Sequence, residues 1–114
     1  MGTLTITRQA TALIVQLYGE LTLQTAPDFR KDIESAVNDN QTEYLVLDLS
    51  KVSFIDSSGI GMLVALKTQM TNRSISVFLL NPSEQARTTL QLVQLTSFFH
   101  ILTGEDAMLT ILPE

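Results

Sequence analysis

Residues 44–49 read YLVLDL, and after a short polar stretch residues 54–61 read FIDSSGIG. The first stretch is apolar except at Asp48, which is typical of a central β-strand covered by helices on at least one side. The second stretch opens a segment whose apolar residues recur at helical intervals, and residues 75–80 repeat the apolar strand pattern. A strand, a helix and a strand in this order imply a right-handed crossover and parallel pairing.

The N-terminal part of the chain predicts a hairpin followed by a helix. Residues 3–7 and 13–18 each alternate apolar with other side chains on either side of a short polar turn, as two consecutive strands do. Thr25 is a good N-cap for the next helix, Pro27 is tolerated in a first helical turn, and Asp28 stands where a capping-box side chain reaches back. Apolar residues at helical spacing follow and predict one buried stripe.

The C-terminal part predicts a third helix, a short strand and a last helical segment. Residues 81–84 read NPSE, an N-cap signature. The helix that they open carries apolar residues at Ala86, Leu90 and Val93. A short strand is predicted over 98–102 and a helical turn or two over 105–112. The predicted fold class is α/β, a mixed sheet with an N-terminal hairpin and parallel strands packed against about four α-helices, in one domain over 1–114.

The composition argues against several functional classes. The 114 residues carry a formal net charge of -5 without a cluster of Lys or Arg, so the basic surface that binds nucleic acid or an anionic membrane is missing. The chain has no cysteine, which removes disulfides, thiolate metal sites and cysteine nucleophiles. The N-terminus lacks a signal-peptide pattern, and no apolar run approaches the roughly 20 residues that span a bilayer. We expect a cytoplasmic protein without a membrane span, a cofactor, a metal site or direct binding to nucleic acid.

The connection at 54–61 is the predicted functional site. It follows the carboxyl end of a central strand, where open α/β sheets present functional groups. Asp56, Ser57 and Ser58 are all competent N-caps, so the residue that caps the helix leaves a neighbour free, and we expect Ser57 to be the free one. Unpaired N–H groups and the positive end of the helix dipole favour an anion there. A phosphoryl group would add about 1.5 to 2 negative charges beside Asp56 and repel a docked protein.

Neighbouring residues extend the predicted contact surface. Gly59 and Gly61 lack side chains and let the backbone of another protein approach the serine. Met62 is predicted to lie on a helical face other than the buried one. The Asp-Ser-Ser-Gly tetrapeptide is also an ordinary strand-to-helix turn of good capping residues. By itself it does not decide between a switch and a structural connection.

The surrounding sequence favours the switch. Residues 44–66, with VSFIDSSGIG at 52–61, resemble the signature of STAS domains, in particular of stand-alone bacterial anti-sigma factor antagonists. The Gly19-Glu20-Leu21 sequence near the end of the second strand resembles another element of that family. The order of the predicted elements is also similar over nearly the whole chain.

The resemblance implies a partner-switching protein that is a substrate and a binder, not an enzyme. In that family, an unphosphorylated antagonist binds an anti-sigma factor that is also a serine kinase of the histidine-kinase-like ATPase fold. Phosphorylation of the serine directly after the aspartate, here Ser57, reverses the binding, and a metal-dependent serine phosphatase restores the active form. Together with the residues argued above from their place on the helix, the predicted partner-binding residues are Asp56, Ser57, Ser58, Gly59, Gly61, Met62, Glu20 and Thr22.

Two departures from the family pattern leave a second interpretation open. The family often has Asp after Gly-Glu-Leu, where this chain has Thr22. Many relatives follow the third helix with Gly-Leu, where residues 92–96 of this chain read LVQLT. The alternative is a STAS accessory subunit of a lipid-transport or stressosome-type complex that works by protein binding.

A receiver domain and a serine hydrolase fit the sequence less well. A phosphoacceptor at Asp48 would need a nearby acidic pair to hold Mg²⁺ and a lysine after a late strand, but the first strands offer only Glu20 and residues 98–102 contain no lysine. A hydrolase would need a base beside Ser57, and His100 is the only histidine. The Gly-x-Ser-x-Gly motif is absent as well.

Overall fold

The computed structural model describes residues 3–37 and 41–104. The strands among them are β1 (Thr3–Gln9), β2 (Ala12–Leu21), β3 (Tyr44–Ile55), β4 (Ser76–Leu80) and β5 (His100–Leu102). The helices among them are α1 (Ala26–Ala36), α2 (Ser57–Asn72) and α3 (Glu84–Leu92). The strands form one five-stranded sheet in which they lie side by side in chain order. The predicted α/β class and mixed sheet are therefore confirmed.

The helices differ from the prediction in number. The described residues contain three helices, one fewer than the predicted four or so, and the segment predicted over 105–112 lies outside those residues. Val93, predicted to pack within the third helix, is instead the C-cap residue of α3 and is 46% exposed. The longest of the three, α2, has 16 residues, and no helix within 3–37 and 41–104 is long and apolar enough to cross a membrane.

The sheet combines an antiparallel hairpin with parallel strands. β1 pairs with β2 antiparallel, as predicted, and the pairings of β2 with β3, β3 with β4 and β4 with β5 are parallel. The register of β2 against β3 shifts around Tyr18 and Gly19. Gly19 has φ 90, a conformation that glycine adopts without steric cost, and such irregularities bend a strand and increase its twist. The last residues of β2 then continue beside the end of β3.

The core lies between one face of the sheet and all three helices. In the first half of β3 the side chains that join the core come from alternate positions, Leu45, Leu47 and Leu49, which point to the same face of the sheet, and Val52 and Ile55 join it farther along the strand. Phe29 of α1, Leu66 of α2 and Leu90 of α3 belong to the same buried cluster. This one-sided packing fixes where α2 starts relative to the end of β3.

The helix caps are only partly those expected. Thr25 is the N-cap residue of α1, as predicted, but its side chain makes no capping bond and the capping box is absent. Its hydroxyl instead accepts from the Thr22 N–H at 2.9 Å and donates to the Glu20 carbonyl at 2.7 Å, which ties the loop before the helix together. The helix α3 starts within the predicted N-cap signature of residues 81–84, where Ser83 is the cap and accepts from the Ala86 N–H at 3.2 Å.

Candidate functional site

The connection between β3 and α2 is a single residue. β3 continues to Ile55 and α2 begins at Ser57, so the segment predicted as a turn is a strand end, Asp56 and the first helical turn. Asp56 is the N-cap, and its Oδ1 accepts from the Gly59 N–H at 3.0 Å. A carboxylate in this position satisfies one of the N–H groups that every helix start leaves unpaired.

Asp56 also holds the loop that follows β2. Its Oδ2 accepts from the Leu23 N–H at 3.3 Å, and its own N–H donates to the Leu21 carbonyl at 3.2 Å. A Cβ atom added to Gly59 would lie 2.3 Å from that same carbonyl oxygen, so a residue with a side chain does not fit there without a shift of the backbone. Sequence patterns do not reveal this role of Asp56, because Leu23 lies 33 positions away along the chain.

Ser57 stands free at the surface, as expected. It is the first residue of α2 and is exposed, whereas Ser58 is half-buried. Within the part of the chain that the structure describes, neither serine hydroxyl has a hydrogen-bond partner, and neither do the two backbone N–H groups. An anion on the Ser57 oxygen would therefore meet unpaired donors and the positive end of a 16-residue helix.

A groove of about 340 Å³ lies between α1 and α2, and Ser58 is part of its lining. Its lining includes Leu23, Ala26 and Pro27 on the α1 side and Ser58, Gly61 and Met62 on the α2 side. Leu23 is 66% exposed, and a Cβ added to the exposed Gly61 would have no atom within 4 Å. Met62 is only 5% exposed, so its placement on a face away from the core was wrong. The helix α1 covers that side of α2, and sequence periodicity does not reveal which helix packs where.

Glu20 and Thr22 occupy different environments. Glu20 is exposed, and with Asp28 and Asp32 it lines a second groove, of about 370 Å³, on the other flank of α1. Thr22 is only 7% exposed, its carbonyl accepts two N–H groups at the start of α1, and its hydroxyl donates to Gln24 Oε1 at 3.1 Å. The structure therefore gives Thr22 a role in shaping the loop, and leaves little of its side chain for a partner.

Asp48, considered as a phosphoacceptor, has a structural role. Its carboxylate accepts from Gln16 Nε2 at 2.9 Å and from the Ser50 N–H at 2.9 Å. These two bonds satisfy a half-buried acidic group on the sheet face opposite the helices.

The only histidine lies too far from the serine to act as its base. His100 pairs with Phe78, which in turn pairs with Val46, so His100 is level with the beginning of β3. From Val46 to the end of β3 at Ile55 the strand rises roughly 25–30 Å. A proton transfer needs hydrogen-bond distance, so His100 cannot serve as the base that the hydrolase interpretation requires.

Comparison with known proteins identifies similar chains and folds. The family model of the STAS domain matches residues 3–107. An anti-sigma F factor antagonist from Lysinibacillus sphaericus is 27% identical over 103 residues, which are 90% of this chain and 86% of that protein.

Two solved structures show the same fold. The crystal structure of an anti-sigma factor antagonist from Mycobacterium paratuberculosis superposes with a TM-score of 0.86 at 24% identity, covering 100% of this chain and 96% of that one. The Bacillus cell fate determinant SpoIIAA in its phosphorylated form gives a TM-score of 0.73 at 23% identity, covering 96% of this chain and 99% of that one.

Proposed function

The chain belongs to the STAS domain family, and from this we propose that it is an anti-sigma factor antagonist controlled by phosphorylation of Ser57. The unphosphorylated form binds an anti-sigma factor that is also a serine kinase of the histidine-kinase-like ATPase fold. Phosphorylation by that kinase ends the binding, and a metal-dependent serine phosphatase restores it. The chain serves as substrate and binder, and its partners perform the chemistry. The class of partner is taken from the relative that is named as an anti-sigma F factor antagonist.

The observation that supports Ser57 as the acceptor is its exposed hydroxyl at the start of α2, without a hydrogen-bond partner among the described residues. A kinase can reach this oxygen without unfolding the chain. Ser58, the other serine of the motif, is half-buried beside the groove. Of the two hydroxyls, that of Ser57 is the easier one to modify.

The fold tolerates the added charge, whereas a docked partner does not. A negative group in the first turn of a helix stabilises it by about 0.3–1 kcal/mol, which offsets repulsion from the Asp56 carboxylate. In an interface, the same 1.5 to 2 charges next to Asp56 cost several kcal/mol. Since about 1.4 kcal/mol corresponds to tenfold in affinity, the binding constant falls by about 100-fold or more.

The proposed contact surface surrounds this serine. Gly61 leaves the first turns of α2 open to a close approach, and the groove beside it offers the exposed Leu23 and the edge of Met62 to an apolar side chain. Glu20, on the other side of the loop, offers a negative charge to a cationic one. Backbone contact, an apolar pocket and one charge together give such a surface affinity for a partner and fix the orientation in which the partner binds.

The proposal is tested by incubating the chain with a serine kinase of this class and ATP, followed by intact-mass measurement and peptide mapping. We expect one phosphoryl group, located on Ser57. The Ser57→Ala variant should remain unlabelled, while the matched Ser58→Ala variant should still accept one phosphoryl group. Labelling that persists in Ser57→Ala shows that the acceptor has been wrongly assigned.

A further inference from the structure

The strand β1 forms one edge of the sheet and pairs only with β2 among the described strands. It has seven residues, TLTITRQ, and all of them except Leu4 are exposed. Its pairing with β2 runs without a register shift from one end to the other. An edge strand of this kind presents a row of N–H and C=O groups that can pair with another strand.

Features that normally block edge pairing are missing from β1. Edge strands are protected by Pro, Lys, bulges or short length, and this strand has seven residues with none of the first three. Its one charged residue, Arg8, donates to Thr42 Oγ1 at 2.8 Å, which draws the guanidinium back toward its own sheet. The strand consists largely of Thr and Ile, which are β-branched and favour extended structure.

The sequence of β1 is complementary to an antiparallel copy of itself, and we propose that two chains pair through β1 into a two-fold dimer with one continuous sheet. With the axis at Ile6, this residue faces its own copy, Thr5 faces Thr7, and Leu4 faces Arg8. Aliphatic and Thr–Thr pairs across an antiparallel ladder are favourable, and no like charges face one another in this register. Ile6, which is 41% exposed in the single chain, becomes covered.

The placement of charge favours a second copy as the occupant of this edge. Leu4 packs against the core, so Leu4, Ile6 and Arg8 all lie on the helix side of β1. Opposite Leu4, the Arg8 of the second copy stands on the side where a groove is lined by Leu4 together with Glu20, Asp28 and Asp32. In the dimer the Arg8 guanidinium turns from its partners within the chain, Thr42 among them, to the acidic groove of the other copy. Two-fold symmetry repeats this contact at both ends of the interface.

The dimer leaves both phosphoacceptors accessible. The two-fold axis reverses strand direction, so the two copies of Ser57, each beyond the end of its own β3, lie at opposite ends of the combined sheet. Neither is next to the β1 edge, because β2 separates β1 from β3. A kinase can therefore reach each Ser57 in the dimer, while Glu20, which lines the groove that receives Arg8, lies beside the dimer contact. Dimerisation does not depend on the phosphorylation state.

Cysteine cross-linking tests the dimer directly, because the full chain contains no cysteine. Ile6→Cys places two thiols opposite each other at the axis, where Cβ atoms of facing residues lie roughly 4.5–5.5 Å apart, close to disulfide geometry. The matched control Leu92→Cys puts a thiol on a residue of α3 that is 79% exposed. Under mild oxidation, we expect the Ile6→Cys chain to form a covalent dimer far faster than the Leu92→Cys chain.

Sedimentation equilibrium of the cysteine-free chain completes the test. We expect the mass of two chains at high concentration and of one chain on dilution. Ile6→Lys, which sets two cations against each other at the axis, should remain a monomer, while Leu92→Lys should still dimerise. A wild-type chain that is monomeric at its highest soluble concentration overturns the proposal. So does a dimer that survives Ile6→Lys, since it must use another surface.

Discussion

Two glycines of α2, only two residues apart, should respond in opposite ways to replacement by alanine. A Cβ on Gly59 would stand 2.3 Å from the Leu21 carbonyl oxygen and 2.7 Å from Cγ1 of Ile55. The carbonyl belongs to the backbone and accepts the Asp56 N–H, so it can move only if that bond weakens. A Cβ on Gly61 has no atom within 4 Å.

The magnitudes follow from these contacts. Replacing Gly by Ala inside a helix is favourable by up to about 1 kcal/mol. For Gly61→Ala nothing opposes this gain, so the free energy of unfolding should rise by about 0.5–1 kcal/mol. For Gly59→Ala, overpacking costs about 1–3 kcal/mol, and the upper end applies because backbone must shift. The net change for Gly59→Ala is a loss of about 2 kcal/mol, which places the two variants about 3 kcal/mol apart.

Urea unfolding followed by circular dichroism measures this difference, and a thermal melt provides a second reading. At about 4 °C per kcal/mol, the two melting temperatures should differ by about 12 °C. Since both substitutions are identical and lie in the same helix, differences in helix propensity cancel between them. Equal stabilities, or a Gly61→Ala variant less stable than Gly59→Ala, would refute the reasoning that Gly59 is required by the close approach of the β2 end.

Two further predictions concern the bonds by which Asp56 holds the loop after β2, and the end of α3. Asp56→Ala leaves the N–H groups of Gly59 and Leu23 without their acceptor and should lower the free energy of unfolding by about 1–2 kcal/mol. Asp56→Asn keeps one acceptor oxygen and should lose less stability. Equal decreases of the denaturant midpoint in the two variants would contradict this role of the Asp56 carboxylate. Gln94 follows α3 and has a φ angle of 61°. This left-handed conformation costs a residue with a side chain about 1 kcal/mol or more, whereas glycine adopts it freely. Gln94→Gly should therefore raise the melting temperature. The control Gln91→Gly, inside the helix, should lower it, and a destabilised Gln94→Gly variant would show that the strain is absent.

Much of the fold follows from local patterns in the sequence. The apolar alternation of β2, the apolar run of β3 and the helical spacing in α2 each depend on residues close together in the chain. Each element includes the stretch that predicted it, although β3 continues beyond its apolar run to Ile55. The N-cap signature at Ser83 and the exposed Ser57 are local in the same sense, because capping requires only neighbouring backbone groups. Local chemistry was therefore enough to locate the candidate acceptor.

Features that depend on tertiary contacts were not predictable. Met62 is buried because α1 covers it, and the groove beside it joins residues of two helices that are separated by all of β3. The Thr25 hydroxyl bonds to the preceding loop instead of capping α1, since loop geometry decides whether its oxygen accepts from an N–H of the loop or from one of the helix. The sequence predicted that Gly59 lets a partner approach the helix, whereas in the structure Gly59 lies against the backbone at the end of β2.

The central claim is that one phosphoryl group on Ser57 controls partner binding by its charge while the fold stays intact. Calorimetric titration of the kinase partner with homogeneous phosphorylated and unphosphorylated chain, alongside thermal melts of both forms, tests it most directly. The account predicts an affinity about 100-fold or more weaker for the phosphorylated chain, and nearly equal melting temperatures. Equal affinities, or a phosphorylated chain that loses binding because it unfolds, would contradict it.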